Sequence, residues 1–333
     1  MIDNVTGTPT GGSNRNWRET IAGLSFASPW IVGFAALFLW PFAISLYWSF
    51  CRYDLVNEPQ LVGTENYRQI ASEISQGTGF GLALANTAYY ILISVPLSVL
   101  LGVVLASWLS ANARGQSIYR TIIFLPSMIP VVAASVLWLW LLNPTDGWVN
   151  SCLGLVGIPP QNWLNQSRSM ISGDSLAMIS NKPFADWRLA GSKDGLILMT
   201  LWGLGNYVVI YLAAIGDVPR ALHEAASIDG AGVVRRWLHV TIPMLSPLIL
   251  FHFVVGMIRG VQTFTSIYLL SEGTGQPGGS LNMVSLQMFL AAFEDLRVGY
   301  ASAIAWCLFV ILGVATYLLF KVSSSWVHYR TTV

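Results

Sequence analysis

One stretch of the chain reads Glu224-Ala225-Ala226-Ser227-Ile228-Asp229-Gly230-Ala231. Nine residues separate Gly230 from a second stretch, Val240-Thr241-Ile242-Pro243. The first part has the spacing of a short amphipathic helix, which Asp217 is placed to cap. Glycine turns a chain at little steric cost, so Gly230 predicts the end of that helix. A second short amphipathic run then leads to Pro243 and a long apolar segment. We therefore predict that residues 217–243 form a polar helical hairpin between two membrane spans.

The spacing of this hairpin resembles the EAA loop of bacterial ABC-importer permeases. In that pattern Glu-Ala-Ala is followed by three residues, Gly, nine residues, and an aliphatic-x-aliphatic-Pro group. The Asp-Gly-Ala that ends the first helix looks like the carbohydrate, maltose-type branch of the family. The loop docks into a cleft of an ATPase subunit in that family. The resemblance thus implies ATPase-coupling roles for Glu224, Ala225, Ala226, Asp229, Gly230, Ala231 and Pro243.

The composition is that of a protein whose solvent is a lipid bilayer. Hydrophobic residues make up 54% and charged residues 10% of the chain, against about 25% charged residues in soluble domains. A net charge of +1 and the lack of basic runs predict no nucleic-acid partner. The sequence contains no P-loop pattern, so we expect ATP to be hydrolysed by partner subunits. We expect this chain to be a transport subunit, not an enzyme, with no bound cofactor.

Six apolar segments, each close to the length that crosses a bilayer, predict an all-α membrane protein with six transmembrane helices. The resemblance implies the type I ABC importer permease fold. Between the spans, residues 165–194 have no counterpart in typical relatives, and we interpret them as an external insertion. Residues 1–25 and 321–333 are predicted to be terminal tails. The predicted spans are residues 26–50, 82–109, 122–142, 196–215, 245–270 and 300–320.

The charge distribution orients these spans. If the two tails, residues 110–120 and the hairpin lie on one side, that side carries nine Lys or Arg and five acids. The opposite loops carry seven Lys or Arg and eleven acids over a longer stretch. The positive-inside rule then predicts cytoplasmic termini in a multi-pass protein of the bacterial plasma (inner) membrane. The hairpin would face the cytoplasm, where an ATPase would be found.

Arg259 is the only charged residue inside any predicted span. A cation at membrane depth costs about 2.5–3.5 kcal/mol on insertion scales, so Arg259 should face a cavity or a partner. At helical spacing, Arg259, Thr263 and Ser266 would share a face, with Gln262 beside it. Asn206 and Tyr207 also interrupt an apolar run.

In maltose-type permeases, positions that match Tyr207, Gly260 and Thr263 surround the translocated sugar. The resemblance therefore implies a substrate pathway, and Arg259 departs from typical members by its charge. The alternative is that these polar residues join neighbouring helices. We assign to the pathway Asn206, Tyr207, Arg259, Gly260, Gln262 and Thr263.

The remaining reactive residues predict no metal site, because no Cys, His and acid cluster has ligand spacing. His223 and His252 each stand alone. Cys51 and Cys152 both fall on the predicted outer side, and whether they pair stays open at this point. The fourteen tryptophans fit the aromatic belts of a membrane protein.

By resemblance the chain is a permease subunit that forms half of the translocation pathway of an ATP-driven sugar importer. Its expected partners are a second homologous permease, two ATP-binding subunits, an extracytoplasmic solute-binding protein, the sugar and the lipid bilayer. A permease for glycerol phosphate or a polyamine is the alternative within the superfamily. A passive membrane channel or a membrane enzyme is the alternative from another class. A channel needs no EAA loop, and an enzyme needs paired acids or histidines at membrane depth.

Overall fold

A computed structural model describes residues 17–110, 115–165 and 191–327, and this part of the chain is predominantly helical. The sequence predicted no strands, but a two-residue antiparallel pair joins Cys51–Arg52 to Gln60–Leu61. The α-helices are Trp17–Phe34, Trp40–Ser49, Glu65–Gln76, Gly79–Ser110, Gln116–Phe124, Val131–Leu141, Trp148–Leu155, Ser192–Trp202, Gly205–Gly216, Arg220–Ile228, Val233–Arg236, Ile242–Val261, Thr265–Leu270, Val284–Phe289 and Val298–Ser323. Further turns are the 3₁₀ helix Leu125–Met128 and the π-helices Ala35–Leu39, Trp237–Thr241 and Leu290–Glu294.

Within the described residues, four helical stretches are long and apolar enough to cross a bilayer, and two bent pairs bring the number of spans to six. The predicted six-span architecture is therefore confirmed when each bent pair counts as one span. We number them span 1, Thr20–Ser49; span 2, Gly79–Ser110; span 3, Gln116–Met128 with Val131–Leu141; span 4, Ser192–Trp202 with Gly205–Gly216; span 5, Val233–Val261; and span 6, Val298–Ser323.

Span 2 is the central helix, because it contributes to all three hydrophobic clusters. Tyr90 packs in a cluster with spans 3 and 4 and the short helix Thr265–Leu270. Phe80 and Ala83 pack against helix Glu65–Gln76 and span 6. The cytoplasmic half of span 2, by the predicted orientation, packs against spans 4 and 5. Burial of these apolar side chains holds spans 3, 4, 5 and 6 around span 2.

Span 1 lies outside this bundle. Its contact is with span 6, where the Phe42 and Trp306 ring centroids are 4.6 Å apart and Trp306 Nε1 donates to Ser45 Oγ at 3.2 Å. None of its most apolar 18 residues is buried within the chain. Lipid or another subunit must therefore cover most of span 1 in the membrane.

Two π-helical turns precede prolines inside the spans. Ala35–Leu39 ends two residues before Pro41, and Trp237–Thr241 ends two residues before Pro243. A proline ring clashes with the carbonyl group four residues earlier in a regular helix and cannot donate a hydrogen bond. In both cases that carbonyl group lies within the π turn, whose wider backbone accommodates the ring. Both helices therefore continue through their prolines.

Several boundaries differ from the sequence prediction. The first helix begins at Trp17, so residues 17–25 belong to this helix and not to the predicted terminal tail. Span 4 begins at Ser192, which removes 192–194 from the predicted insertion. The carboxylate of Asp194 accepts a hydrogen bond from Gly191 N at 3.0 Å and caps this helix. Most of the insertion, residues 166–190, lies outside the described residues.

The glycine-rich turn that follows helix Thr265–Leu270 is anchored to span 2. Asn86 Nδ2 in span 2 donates to Gly279 O at 2.8 Å and to Asn282 O at 3.0 Å. Lys193 Nζ donates to Asn86 Oδ1 at 3.1 Å, which adds span 4 to the same contact. Gly279 has φ +70°, a conformation that favours glycine.

Cys51, Cys152 and Cys307 are free, so Cys51 and Cys152 do not pair.

Candidate functional site

A cavity of about 440 Å³ lies between spans 2, 3, 4 and 5, within the size range of small-molecule sites. Five of the six residues that the sequence assigned to a substrate pathway line it: Tyr207, Arg259, Gly260, Gln262 and Thr263. Asn206 is absent from the lining and is exposed, so it lies on another side of span 4. Asn206 is therefore not placed in the cavity wall with its neighbour.

A break in the helical chain directly after span 5 brings the polar residues of this wall together. The long helix ends at Val261, and a new short helix starts at Thr265. The prediction that Arg259, Thr263 and Ser266 share one continuous helix face is therefore wrong. All three still line the cavity, because the chain turns between the two helices.

Two hydrogen bonds satisfy backbone carbonyl groups at this break. Thr263 Oγ1 donates to Arg259 O at 3.0 Å, and Ser285 Oγ donates to Thr263 O at 2.5 Å. Carbonyl groups freed by a helix break within a membrane need such partners. The broken backbone is therefore held in place beside the cavity.

Span 4 is bent by 46° where Trp202 is followed by Gly203, Leu204 and Gly205. A Cβ atom at Gly205 would lie 2.7 Å from Ile123 O and 2.8 Å from Phe124 Cα. Only glycine permits this approach of span 4 to the backbone of span 3. The bend and the close approach bring Trp202 and Tyr207 to the cavity wall.

Gly260 serves packing in the same way. A Cβ atom at this position would lie 2.7 Å from Ile91 Cγ1 in span 2. Gly260 is buried, and its lack of a side chain permits the close packing of spans 2 and 5 beside Arg259. The structure thus gives Gly260 a packing role in addition to its place in the cavity wall.

A buried histidine connects three spans at one side of the cavity. His252 is 1% exposed; Tyr211 OH lies 2.8 Å from its Nδ1 atom and Ser98 Oγ lies 3.2 Å from its Nε2 atom. The Tyr207 ring stacks on the His252 ring with centroids 3.6 Å apart and planes at 10°. Both ring nitrogens have polar partners, as buried polar groups require.

Sequence reasoning missed this network, because it considered His252 only as a metal ligand. The available signal was a lone polar residue in an apolar span, seven residues and thus about two turns before Arg259. Its effect is to fix the orientation of Tyr207, the aromatic residue of the cavity wall. Within the described residues, no group of His, Cys, Asp and Glu could hold a metal ion.

Hydroxyl groups from the other spans complete the polar wall. Tyr90 OH and Thr200 Oγ1 lie 2.8 Å apart and join spans 2 and 4. These groups were not assigned from the sequence, because single Ser and Thr residues in apolar runs carry no distinctive spacing. The further hydroxyl-bearing residues of the wall are Ser94, Ser98, Ser127, Thr265 and Ser266.

Arg259 gives the cavity its charge. Its side chain is exposed, and no Asp or Glu is among the described lining residues. In the described chain, the ion pair that the structure contains is Arg52–Glu65, outside this cavity. The Arg259 guanidinium is therefore available to a ligand or to another subunit.

The predicted hairpin forms at the start of span 5. Its first helix is Arg220–Ile228, and Gly230 follows with φ +77°. Gly230 N donates to Ser227 O at 3.1 Å and Ala231 N donates to Ala226 O at 2.9 Å, which is the pair of bonds in a Schellman turn. The predicted glycine stop is confirmed. The predicted Asp217 cap is wrong, since Pro219 occupies the N-cap position without a side-chain bond.

The hairpin presents its motif residues at the surface. Glu224, Ala225, Asp229 and Gly230 are exposed, whereas Ala226, Ala231 and Pro243 are half-buried. Apolar side chains surround them without cover from this chain: Leu222, Ile228, Val233, Val234 and Leu238. An exposed mixture of charged and apolar side chains is suited to a protein partner.

The hairpin is also continuous with span 5, which the sequence did not predict. The helix runs from Val233 through the π turn to Val261 without a break, instead of beginning at residue 245. Trp237 Nε1 donates to Ser107 Oγ at 2.7 Å and attaches the hairpin to span 2. One helix therefore reaches from the exposed motif to Arg259 at the cavity.

Comparison with known proteins agrees with this arrangement. Residues 98–329 match the model of the binding-protein-dependent transport system inner membrane component family. The chain is 35% identical to the probable ABC transporter permease protein YesP of Bacillus subtilis (strain 168), covering 94% of each chain. It is 27% identical to the arabinooligosaccharides transport system permease protein AraP of the same organism, covering 95% of each.

Among solved structures, the chain is similar to a bacterial alginate ABC transporter in complex with an alginate pentasaccharide-bound periplasmic protein. The TM-score is 0.69 at 23% identity, with 92% of this chain and 96% of that chain covered. At this identity the likeness shows the fold. The chain belongs to the family of inner-membrane components of binding-protein-dependent transport systems, and it is a multi-pass membrane permease subunit.

Proposed function

We propose that this chain is one of two permease subunits of an ATP-driven importer for carbohydrates. The observation that carries the proposal is the polar cavity between spans 2 to 5, which is lined by hydroxyl groups, an amide and an aromatic ring. Sugars present hydroxyl groups to such donors and acceptors and their C–H faces to aromatic rings. The sugar specificity of relatives such as AraP supports the same substrate class.

The proposed complex contains a second homologous permease, two ATP-binding subunits and an extracytoplasmic solute-binding protein. The family description names a binding protein, and the solved alginate transporter holds a periplasmic protein. Both termini and the hairpin are cytoplasmic in this proposal, which the six spans and the charge distribution support. ATP is hydrolysed by the partner subunits.

The hairpin is the proposed contact with the ATP-binding subunits. Glu224 and Asp229 add negative charge to an exposed apolar surface, and the Schellman turn at Gly230 gives that surface a defined shape. Closure of the ATP-binding subunits would displace the hairpin. Because span 5 is one helix from Val233 to Val261, the displacement would reach the cavity and open it alternately to the two sides.

Glycerol phosphate is the second candidate solute, and Arg259 is the observation that favours it. A polyamine is disfavoured, because a cationic ligand would meet the unpaired guanidinium. A passive channel gives no reason for an exposed hairpin that is rigidly joined to a cavity helix.

The test is reconstitution of the complete complex in proteoliposomes, followed by uptake of oligosaccharides and of glycerol phosphate. We expect oligosaccharide uptake that needs both ATP and the solute-binding protein. Uptake of solute without ATP would contradict the proposal in favour of a channel. ATP-dependent uptake of glycerol phosphate without uptake of any oligosaccharide would replace the substrate class.

A further inference from the structure

The charge of the cavity limits which carbohydrates the cavity is suited to bind. Arg259 lies on the last turn of the span 5 helix, and its side chain reaches the cavity wall. No acidic residue is present among the described lining residues to neutralise it. A charge at membrane depth without a partner is costly, so an anionic ligand in the cavity would gain from pairing with Arg259.

The surroundings of Arg259 favour a ligand that combines an anion with hydroxyl groups. Gln262 and Thr263 line the same cavity as Arg259 and carry an amide and a hydroxyl group. About two helical turns earlier on the same helix, His252 holds the Tyr207 ring in place as an aromatic wall. A sugar ring with an acidic substituent matches each of these features.

The number of cations favours a carboxylate over a phosphate. One guanidinium forms a bidentate pair with one carboxylate and neutralises its single charge. A phosphate monoester carries about 1.5 to 2 negative charges at neutral pH, so one Arg would leave part of it uncompensated. Among the described lining residues no second Lys or Arg is present to supply the difference.

We propose that this permease admits carbohydrates that bear a carboxylate, and that Arg259 is the residue that selects them. The proposal rests on the proposed function as a sugar permease. The neutral hydroxyl groups of the wall bind the rest of the sugar, and Arg259 distinguishes a uronate from the corresponding neutral hexose.

The test measures binding to the purified permease complex without the solute-binding protein, so that only the cavity selects. The probes are trisaccharides that contain one uronate residue (mannuronate, guluronate, galacturonate or glucuronate) and two neutral hexoses, each with its carboxyl-reduced neutral counterpart, and glycerol phosphate. We expect at least one uronate trisaccharide to bind ten times more tightly than its neutral counterpart. Arg259→Gln should weaken uronate binding about tenfold to over a hundredfold and change neutral-sugar binding less than threefold.

A matched control is Arg68→Gln, which removes an exposed cation from helix Glu65–Gln76, outside the cavity. This variant should keep the wild-type preference for uronate trisaccharides over their neutral counterparts. Equal or weaker binding of every uronate in the wild type would overturn the proposal but leave a neutral-sugar importer intact. Tighter binding of glycerol phosphate than of any sugar would overturn it too. Failure of both uronates and neutral sugars to bind would contradict the sugar function itself.

A structural role for Arg259 gives a separate result. If Arg259 pairs with another subunit, Arg259→Gln should lower the yield of assembled complex. The complex that remains should then keep the wild-type ratio of uronate to neutral-sugar affinity. That result would overturn the assignment of Arg259 as the selecting residue.

Discussion

Gly230→Ala isolates the conformation of the hairpin turn from every other property of the hairpin. A Cβ atom added at Gly230 meets no atom within 4 Å, so the substitution creates no clash. Its only cost is the φ angle of +77°, which a residue with a Cβ atom adopts at about 1–2 kcal/mol. The population of the native turn should therefore fall about 5- to 30-fold relative to its alternatives.

The assay is co-purification of the ATP-binding subunits with a tagged permease, together with ATP-driven uptake at equal membrane levels. Gly230→Asn should lose least, because Asn tolerates this region better than other side chains. Gly230→Pro should lose the turn, since proline fixes φ near −65° and removes the N–H that donates to Ser227 O. Membrane insertion should be normal in all three variants.

The matched control is Gly232→Ala, two residues further along. Gly232 also has open space around its Cβ position, but its φ is −66°, which alanine adopts freely. Gly232→Ala should therefore bind the ATP-binding subunits like the wild type. If Gly230→Pro binds and transports normally, or if Gly232→Ala fails as strongly as Gly230→Ala, the turn is not the element that docks.

Three further predictions concern other parts of the chain. Cys152 is an exposed free thiol on the predicted outer side, so a membrane-impermeant maleimide should label intact cells, and Cys152→Ser should abolish this labelling. Gly205→Ala should destabilise the purified protein by about 1–3 kcal/mol in thermal unfolding, because its Cβ would meet the backbone of span 3. Gly203→Ala is its control, with a nearest contact of 3.6 Å. Trp237→Phe removes the bond to Ser107 and should reduce the transport rate per ATP hydrolysed.

Each has an outcome that contradicts it. Labelling that appears only after permeabilisation would reverse the predicted orientation of the spans. Equal melting temperatures for Gly205→Ala and Gly203→Ala would mean that spans 3 and 4 separate without cost. Trp237→Phe with the wild-type transport rate per ATP hydrolysed would show that this bond does not connect the hairpin to span 2. The same would follow if Ser107→Ala had as large an effect in the Trp237→Phe background as in the wild type.

Much of the fold could be predicted, because apolar length and glycine placement are local signals. The six spans follow from runs of apolar residues, and the end of the hairpin helix follows from Gly230. Five of the six residues predicted for the substrate pathway line the cavity, since a charge and its polar neighbours stand out in an apolar span. The sites of the helix breaks were not predicted, because these sites depend on which backbone groups find hydrogen-bond partners in three dimensions.

The His252 network illustrates the same limit. Ser98, Tyr211 and His252 belong to three different spans, and no spacing within one span relates them. Asn206 was misplaced because adjacent residues of a helix point about 100° apart, so Asn206 and Tyr207 face different sides of span 4. The continuity of span 5 across Pro243 was missed because proline usually ends a helix, whereas a π turn here accommodates it.

The unbroken helix of span 5 has a mechanical consequence. Val233 and Arg259 are 26 residues apart, so about 39 Å of continuous helix connects the exposed hairpin to the cavity. A tilt of about 5° around one end moves the other end by roughly 3 Å, about the width of one hydrogen-bonded contact. Small displacements of the hairpin by the proposed ATP-binding subunits would thus suffice to make and break contacts with a solute. The π turn Trp237–Thr241 lies near the hairpin end of this helix. Because its backbone is wider than that of the α-helix that follows, we expect the helix to twist most easily there.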